Sequence, residues 1–159
     1  MTLDIDVARL ARTRPFSLLP REAVQLIAFS CQKRRLRAGE ALFKAGDDAD
    51  AGFFVHSGAV ALASPDARPE RVRHVLAGAL IGENALYAPV KRRHEARIAE
   101  DAVVTEVPRE TFHRVLREFP EAAEKVRLAL AERTRRLADG LDATRQRSLS
   151  SPPRARSAS

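Results

Sequence analysis

Residues 33–58 read KRRLRAGEALFKAGDDADAGFFVHSG, with glycines at 39, 46 and 58 cutting the stretch into lengths too short for a helix. Glycine at a corner supplies backbone angles that a side chain would penalise. Ala38-Gly39-Glu40, the Asp-rich run Gly46-Asp47-Asp48-Ala49-Asp50, and Ser57-Gly58 are therefore read as turns. Strands are expected over residues 33–37, 41–44, 52–56 and 59–63. The same texture continues to residue 107, with strands expected over 71–76, 93–99 and 103–107. Residues 64–70, with two prolines and Asp66, read as a loop between them. Many short strands broken at close intervals point to a sandwich or a jelly-roll barrel.

Helical spacing brackets this block. Leu3, Val7, Leu10 and Ala11 recur at helical intervals, and Pro15 ends that segment. Pro20 marks a second start, with Glu22 in the first turn and Ala23, Leu26, Ile27 and Ser30 on one face. Pro108 opens a third helix patterned by Phe112, Val115 and Leu116. Pro120 opens a fourth, long and charged, with Ala123, Val126, Leu130, Leu137 and Leu141 along it and Gly140 weakening its far end. Helices, then strands, then helices make an α+β chain.

At 159 residues the chain has the size of one domain. Apolar residues at 45% and charged residues at 31% fit a globular protein, and no apolar run reaches the length that spans a bilayer. Acids in Met1-Thr2-Leu3-Asp4-Ile5-Asp6 stand where a secretory leader carries bases. Cys31 has no second cysteine to pair with, so a cytoplasmic location is expected. Without an activating base near it in sequence, Cys31 reads as a buried core residue rather than a nucleophile. The net charge of +7 invites a nucleic-acid reading, but the last 15 residues hold four arginines and no acid; subtracting them leaves +3. That Ser-, Pro- and Arg-rich end is expected to be disordered. The division is thus a folded domain over 1–141 and a basic tail over 142–159.

The stretch Gly78-Ala79-Leu80-Ile81-Gly82-Glu83-Asn84-Ala85-Leu86, followed by Lys91-Arg92-Arg93, carries the chemistry. A short helix after glycine offers unpaired backbone N–H groups to an anion, and arginine adds a planar fork matched to phosphate oxygens. Glu83 repels a phosphate and would instead accept hydrogen bonds from sugar hydroxyls. A sugar-phosphate pocket and a plain glycine-bounded turn with a solvated basic loop are both open on these residues alone. His56, His74, His94 and His113 sit on separate segments without metal-ligand spacing. No catalytic triad order or paired catalytic carboxylates stand out, so no metal, cofactor or enzymatic activity is expected.

Three pieces together, Arg37 through Asp47, Phe54-Val55-His56-Ser57-Gly58, and Gly82-Glu83-Asn84-Ala85-Leu86, resemble the cyclic-nucleotide-binding domain of the catabolite-activator type. The resemblance runs from about residue 16 to 137 and implies an antiparallel β-roll with a long C-terminal helix. It implies that Gly82, Glu83, Asn84, Ala85 and Leu86 form a phosphate-binding turn. Glu83 would then accept the ribose 2′-hydroxyl, and backbone N–H groups near Gly82, Ala85 and Leu86 would line the site. Arg92 takes the phosphate-binding place when Glu100-Asp101 is aligned with the family's acidic turn, and Arg93 is the one-residue alternative. The implied ligand is cAMP or cGMP, and the long helix resembles one that closes over the base and pairs two subunits.

Two departures bear on function. Where the family places a small residue, alanine and then Ser or Thr after its arginine, this chain has Arg93-His94-Glu95-Ala96, with Glu95 at the hydroxyl position. A carboxylate there repels a phosphate by about 1 kcal/mol at contact in water, unless it turns outward or pairs with Arg93 or Arg97. Fewer than 25 residues follow Leu137, against the roughly 70 that an appended winged helix-turn-helix needs, so sequence-specific DNA binding by this chain is not expected. The leading expectation is a sensor module acting on an unnamed effector. The runner-up is a dimerisation or docking scaffold that keeps the fold without the ligand.

Overall fold

A computed structural model describes residues 2–66, 68 and 71–150 of the chain. It divides into two units, Met1–Ala123 and Glu124–Ser159. In the first unit, helix α1 (Thr2–Leu10) buries Val7 and Leu10, and helix α2 (Arg21–Ser30) buries Ala23, Val24 and Ile27. A one-turn 3-10 helix between them, Phe16–Leu18, inserts Phe16 edge-on against Phe112, with ring centroids 6.1 Å apart.

Eight strands follow: β1 (Gln32–Leu36), β2 (Ala41–Phe43), β3 (Asp48–Ala49), β4 (Ala51–Ala63), β5 (Arg73–Leu76), β6 (Leu80–Ile81), β7 (Val90–Lys91) and β8 (Glu95–Pro108). All the pairings are antiparallel. β4 and β8 run alongside each other for most of their length, β1 and β2 both pair with β8, β5 and β6 both pair with β4, and β3 pairs with β7. Ala51, Phe53, Val55, Val60, Leu62, Ile81, Ala96, Ile98 and Val104 form the apolar core of this roll, with Leu42, Phe43 and Val75 packed against it. The α+β β-roll expected from the sequence is the fold observed, with the long C-terminal helix following it in the chain.

Two of the expected turns are bends inside continuous strands. Ser57-Gly58 does not separate two strands but kinks β4, and Glu100-Asp101 lies within β8 rather than between strands. The bends face each other: Ser57 pairs with Val103 and Ala59 with Glu100, with the register shifting between them. Gly58 has φ +83°, and a Cβ there would collide with the Asp101 carbonyl and Ala102. A bulged, strongly twisted ladder meets the steric demand that looked like a chain reversal. Strands β3, β6 and β7, of two residues each, fall where the sequence reading had turns or loop.

Helix α3 (Arg109–Glu118) follows Pro108 and buries Phe112 and Val115. Helix α4 (Pro120–Ser150) is 31 residues long. Residues 142–150, placed by composition in a disordered tail, belong to this helix, while residues 151–159 lie outside the described residues, as do 67, 69 and 70 of the expected 64–70 loop. In the second unit the helix carries the ion pairs Glu124–Arg127 and Glu132–Arg136 at i,i+3 and i,i+4 spacing. Among the described residues no helix is long and apolar enough to cross a membrane. Cys31 is half-buried rather than a core residue, and burial pushes its thiol up to about 11, against the pull of Arg114 and with that of Glu106, so it stays protonated and unreactive.

Helix α1 meets the roll beside a buried imidazole, and the Asp6–Lys33 ion pair ties it there. His56, on β4, is 6% exposed, and its Nε2 lies 2.6 Å from Thr105 Oγ1 on β8. Its Nδ1 has no hydrogen-bond partner among the described residues and sits 3.5 Å from Asp6 Oδ1, while Asp6 Oδ2 pairs with Lys33 Nζ at 2.7 Å. Burial holds the His56 proton affinity below the ordinary histidine value of 6.5; Asp6 opposes this, and Lys33 and Arg9 reinforce it. The unfolded chain takes up this proton near pH 6.5 and the folded chain only at lower pH, so acidification through that range favours unfolding. Denaturant titrations at pH 7.5 and 5.5 are expected to show lower stability at the lower pH. His56→Gln is expected to shrink that pH dependence.

Candidate functional site

The glycine-flanked stretch of the sequence becomes β6 followed by a one-turn 3-10 helix, Glu83–Leu86. Gly82 precedes the turn in the left-handed region, at φ 75° and ψ 37°. A Cβ at Gly82 would collide with Arg92 Nη1. Glycine is therefore favoured by the backbone angle, and its lack of a side chain leaves room for the guanidinium beside it. Ala85 and Leu86 are buried and anchor the turn, whereas Asn84 is exposed. Glu83 is half-buried, and its Oε1 accepts a hydrogen bond from Tyr87 Oη at 2.9 Å.

The two candidate arginines part company. β7 pairs with β3, and the ladder continues beyond it: Arg92 N–H donates to Asp47 O at 2.8 Å, and Gly46 N–H donates to Arg92 O at 2.8 Å. Successive side chains of an extended chain alternate in direction. Lys91 accordingly points out to pair with Asp48, Arg92 turns inward, and Arg93 is exposed. Arg92 is 8% exposed; its Cζ lies 4.1 Å from the centroid of the Phe43 ring and 5.5 Å from that of Phe53. Its Nη2 donates to Ala51 O at 2.7 Å. A guanidinium has five N–H donors, and among the described residues Ala51 O is the acceptor that meets it. Burial lowers the proton affinity of Arg92, and Asp50, Asp47 and Glu106 partly offset this; an arginine so placed remains charged.

The Glu95 problem is settled by strand alternation. Ala96 and Ile98 of β8 are buried in the core, so Glu95 and Arg97 point the other way. Glu95 Oε1 pairs with Arg97 Nη2 at 2.5 Å, and Arg97 Nη1 donates to Gly39 O at 2.7 Å. The carboxylate placed at the hydroxyl position by the sequence alignment thus lies on the outer face, beside a cation of its own strand, and does not face Arg92. His94 is exposed.

Two contacts of the turn were not foreseen. Arg109 and His113, on α3, reach its backbone carbonyls. In the sequence Arg109 is one residue of the helix after Pro108 and His113 one of four scattered histidines, because a side chain that binds main-chain oxygen leaves no spacing signal.

The chain belongs to the cyclic nucleotide-binding domain family, whose model covers residues 33–119. A cyclic nucleotide-binding-like protein from Brucella abortus bv. 1 str. 9-941 is 31% identical, with a TM-score of 0.64 over 72% of this chain and 99% of that one. The N-terminal domain of a transcriptional regulator from Streptomyces coelicolor A3(2) is 28% identical, with a TM-score of 0.74 over 84% of this chain and 94% of that one. Glutaminase 1 of Bradyrhizobium diazoefficiens is 34% identical over 104 residues, 64% of this chain, and the match spans only 16% of that enzyme's length.

Truncating Arg92 to Leu removes the donor that meets the buried Ala51 carbonyl and the cation over Phe43. Stability is expected to fall by about 1–3 kcal/mol, measured by chemical denaturation. Arg93→Leu is expected to change it by less than about 0.5 kcal/mol.

Proposed function

We propose that the chain is a regulatory sensor module that binds a cyclic mononucleotide, cAMP or cGMP. In this reading Arg92 receives the cyclic phosphate, Glu83 accepts the ribose 2′-hydroxyl, and backbone N–H groups of the Gly82–Leu86 turn complete the phosphate contacts. Occupancy would bias the packing of the C-terminal helix, which requires ligand contacts that differ between two states. The observation that carries the reading is the buried Arg92 guanidinium. It is held against Gly82, and among the described residues only the Ala51 carbonyl meets its donors, which is an arrangement suited to an anion. The outward pairing of Glu95 with Arg97 removes the repulsion that the sequence alone raised. No catalytic role is assigned to any residue of the site.

Isothermal titration with cAMP and cGMP tests this directly. Binding is expected to weaken by about 1.5–3 kcal/mol in Arg92→Ala. Glu83→Ala, which leaves the buried arginine in place, is expected to weaken binding in the same direction. Unchanged affinity in both variants would sink the site assignment.

A second reading has its own support. Arg92 already has a carbonyl acceptor and an aromatic face, so the turn stands without a ligand, as a docking or dimerisation scaffold requires. A thermal-shift series with millimolar nucleotide separates the two readings, because a ligand that binds the native state must raise its stability. Under either reading the exposed Leu128, Leu137 and Leu141 of α4 are the surface for pairing with a second copy. Leu137→Glu is expected to shift sedimentation toward the monomer if that pairing holds, and to leave it unchanged if α4 is solvated alone.

A further inference from the structure

Helix α3 sends two side chains to the C-terminal side of the Glu83–Leu86 turn. Arg109 Nη1 lies 3.0 Å from Ala49 O, 3.1 Å from Ala85 O and 3.2 Å from Ala88 O. One nitrogen with two hydrogens serves three acceptors, so at least one of these bonds is three-centred. The Arg109 backbone N–H donates to Asp50 O at 2.7 Å, which fixes the start of α3 to the strand-linking segment after β3. One helical turn further on, His113 Nε2 lies 2.8 Å from Leu86 O, a contact that needs a proton on Nε2. Between them Phe112 meets the Tyr87 ring edge-on, with centroids 6.3 Å apart.

Ala85, Leu86 and Ala88 supply the carbonyls at the end of a one-turn helix, where no later turn can satisfy them. A cation is the favoured occupant of such an end. We infer that Arg109, assisted by His113, is the positioning residue of the turn: it fixes Glu83–Leu86 against β3 and α3, and the turn cannot shift without breaking these bonds or carrying α3 along. Arg109 would not touch the nucleotide. Only the last readout below rests on the sensor reading.

The full chain is suited to the test, because Tyr87 is its one tyrosine and it has no tryptophan. Intrinsic fluorescence therefore reports from within the site. In Arg109→Gln without ligand, amides 85–88 are expected to exchange about tenfold faster, equal to ~1.4 kcal/mol of opening free energy. Amides of β4 and β8 are expected to keep their rates, and Tyr87 to become more accessible to acrylamide. Arg109→Lys keeps the charge without the fork and is expected to restore part of the protection; with His113→Gln it serves if Arg109→Gln does not fold. Native exchange rates across the turn in these variants overturn the inference, as does an equal acceleration throughout the first unit, which marks a general structural loss. With cAMP or cGMP as probe, Arg109→Gln is expected to bind at least about fivefold more weakly than the native chain, roughly one weak hydrogen bond's worth. Unchanged affinity in a variant with a loosened turn overturns the positioning role. A native chain that binds neither nucleotide refutes the sensor reading instead, and the exchange comparison alone then decides the role of Arg109.

Discussion

A charged guanidinium set at the edge of an apolar core is the constraint around which the site is arranged. Desolvating Arg92 is unfavourable unless its charge finds partners, and the local features of the chain supply them. The β3–β7 pairing and the Asp47–Arg92 backbone bond fix the direction in which the side chain leaves the strand. Phe43 presents its ring face, Ala51 its carbonyl, and Gly82 the absence of a side chain. Remove any of these and the arginine must either turn outward like Arg93 or stay buried at a higher cost.

Much of this was legible in the sequence. The helices were, because Val7, Leu10, Ala23, Ile27, Phe112 and Val115 repeat at helical spacing and are buried, although Leu3, Leu26 and Ser30, expected on the same faces, are exposed and Val24 is buried beside Ala23. The glycine corners were legible as sites of special backbone geometry, but their meaning was not always so. Gly58 has the positive φ of a turn residue while sitting inside a 13-residue strand, because its partner Glu100-Asp101 bends at the same place. No window along one segment could show that the two irregularities nest. Strands of two residues carry no periodicity, so β3 and β7 were invisible even though they set the direction of Arg92. Residues 142–150 misled for another reason: composition favours a disordered tail, but extending an established helix fixes one residue per added hydrogen bond and does not repeat the cost of nucleation.

The site divides in the same way. Gly82 and Glu83 stood out by residue type, and the choice between Arg92 and Arg93 needed only the inward–outward alternation of a strand whose register the sequence did not supply. Glu95 shows the opposite failure. Alignment put a carboxylate where a hydroxyl belongs, yet the pattern of buried Ala96 and Ile98 places it outside, next to Arg97. Counting positions along a chain does not say which face they occupy. Arg109 and His113 could not be found at all, because they bind peptide oxygens, which every residue carries.

The Glu83–Leu86 turn lies between two guanidinium groups, and their electrostatics differ. Arg109 stands at the carbonyl end, where a cation is favoured by the peptide dipoles, and meets Ala85 O and Ala88 O there and Ala49 O on β3. Arg92 stands at the glycine end, where the backbone presents N–H groups and a cation is not favoured. Among the described residues, side chains of the protein meet the Ala85, Leu86 and Ala88 carbonyls at one end of the turn, and the Arg92 guanidinium lies against Gly82 at the other. In the proposed reading, an anion beside Arg92 would meet the guanidinium and the first backbone N–H groups of the turn. The same charge placed at the opposite end would have to displace Arg109. This asymmetry, more than the number of basic residues in the chain, is the reason we propose the phosphate on the Gly82 side.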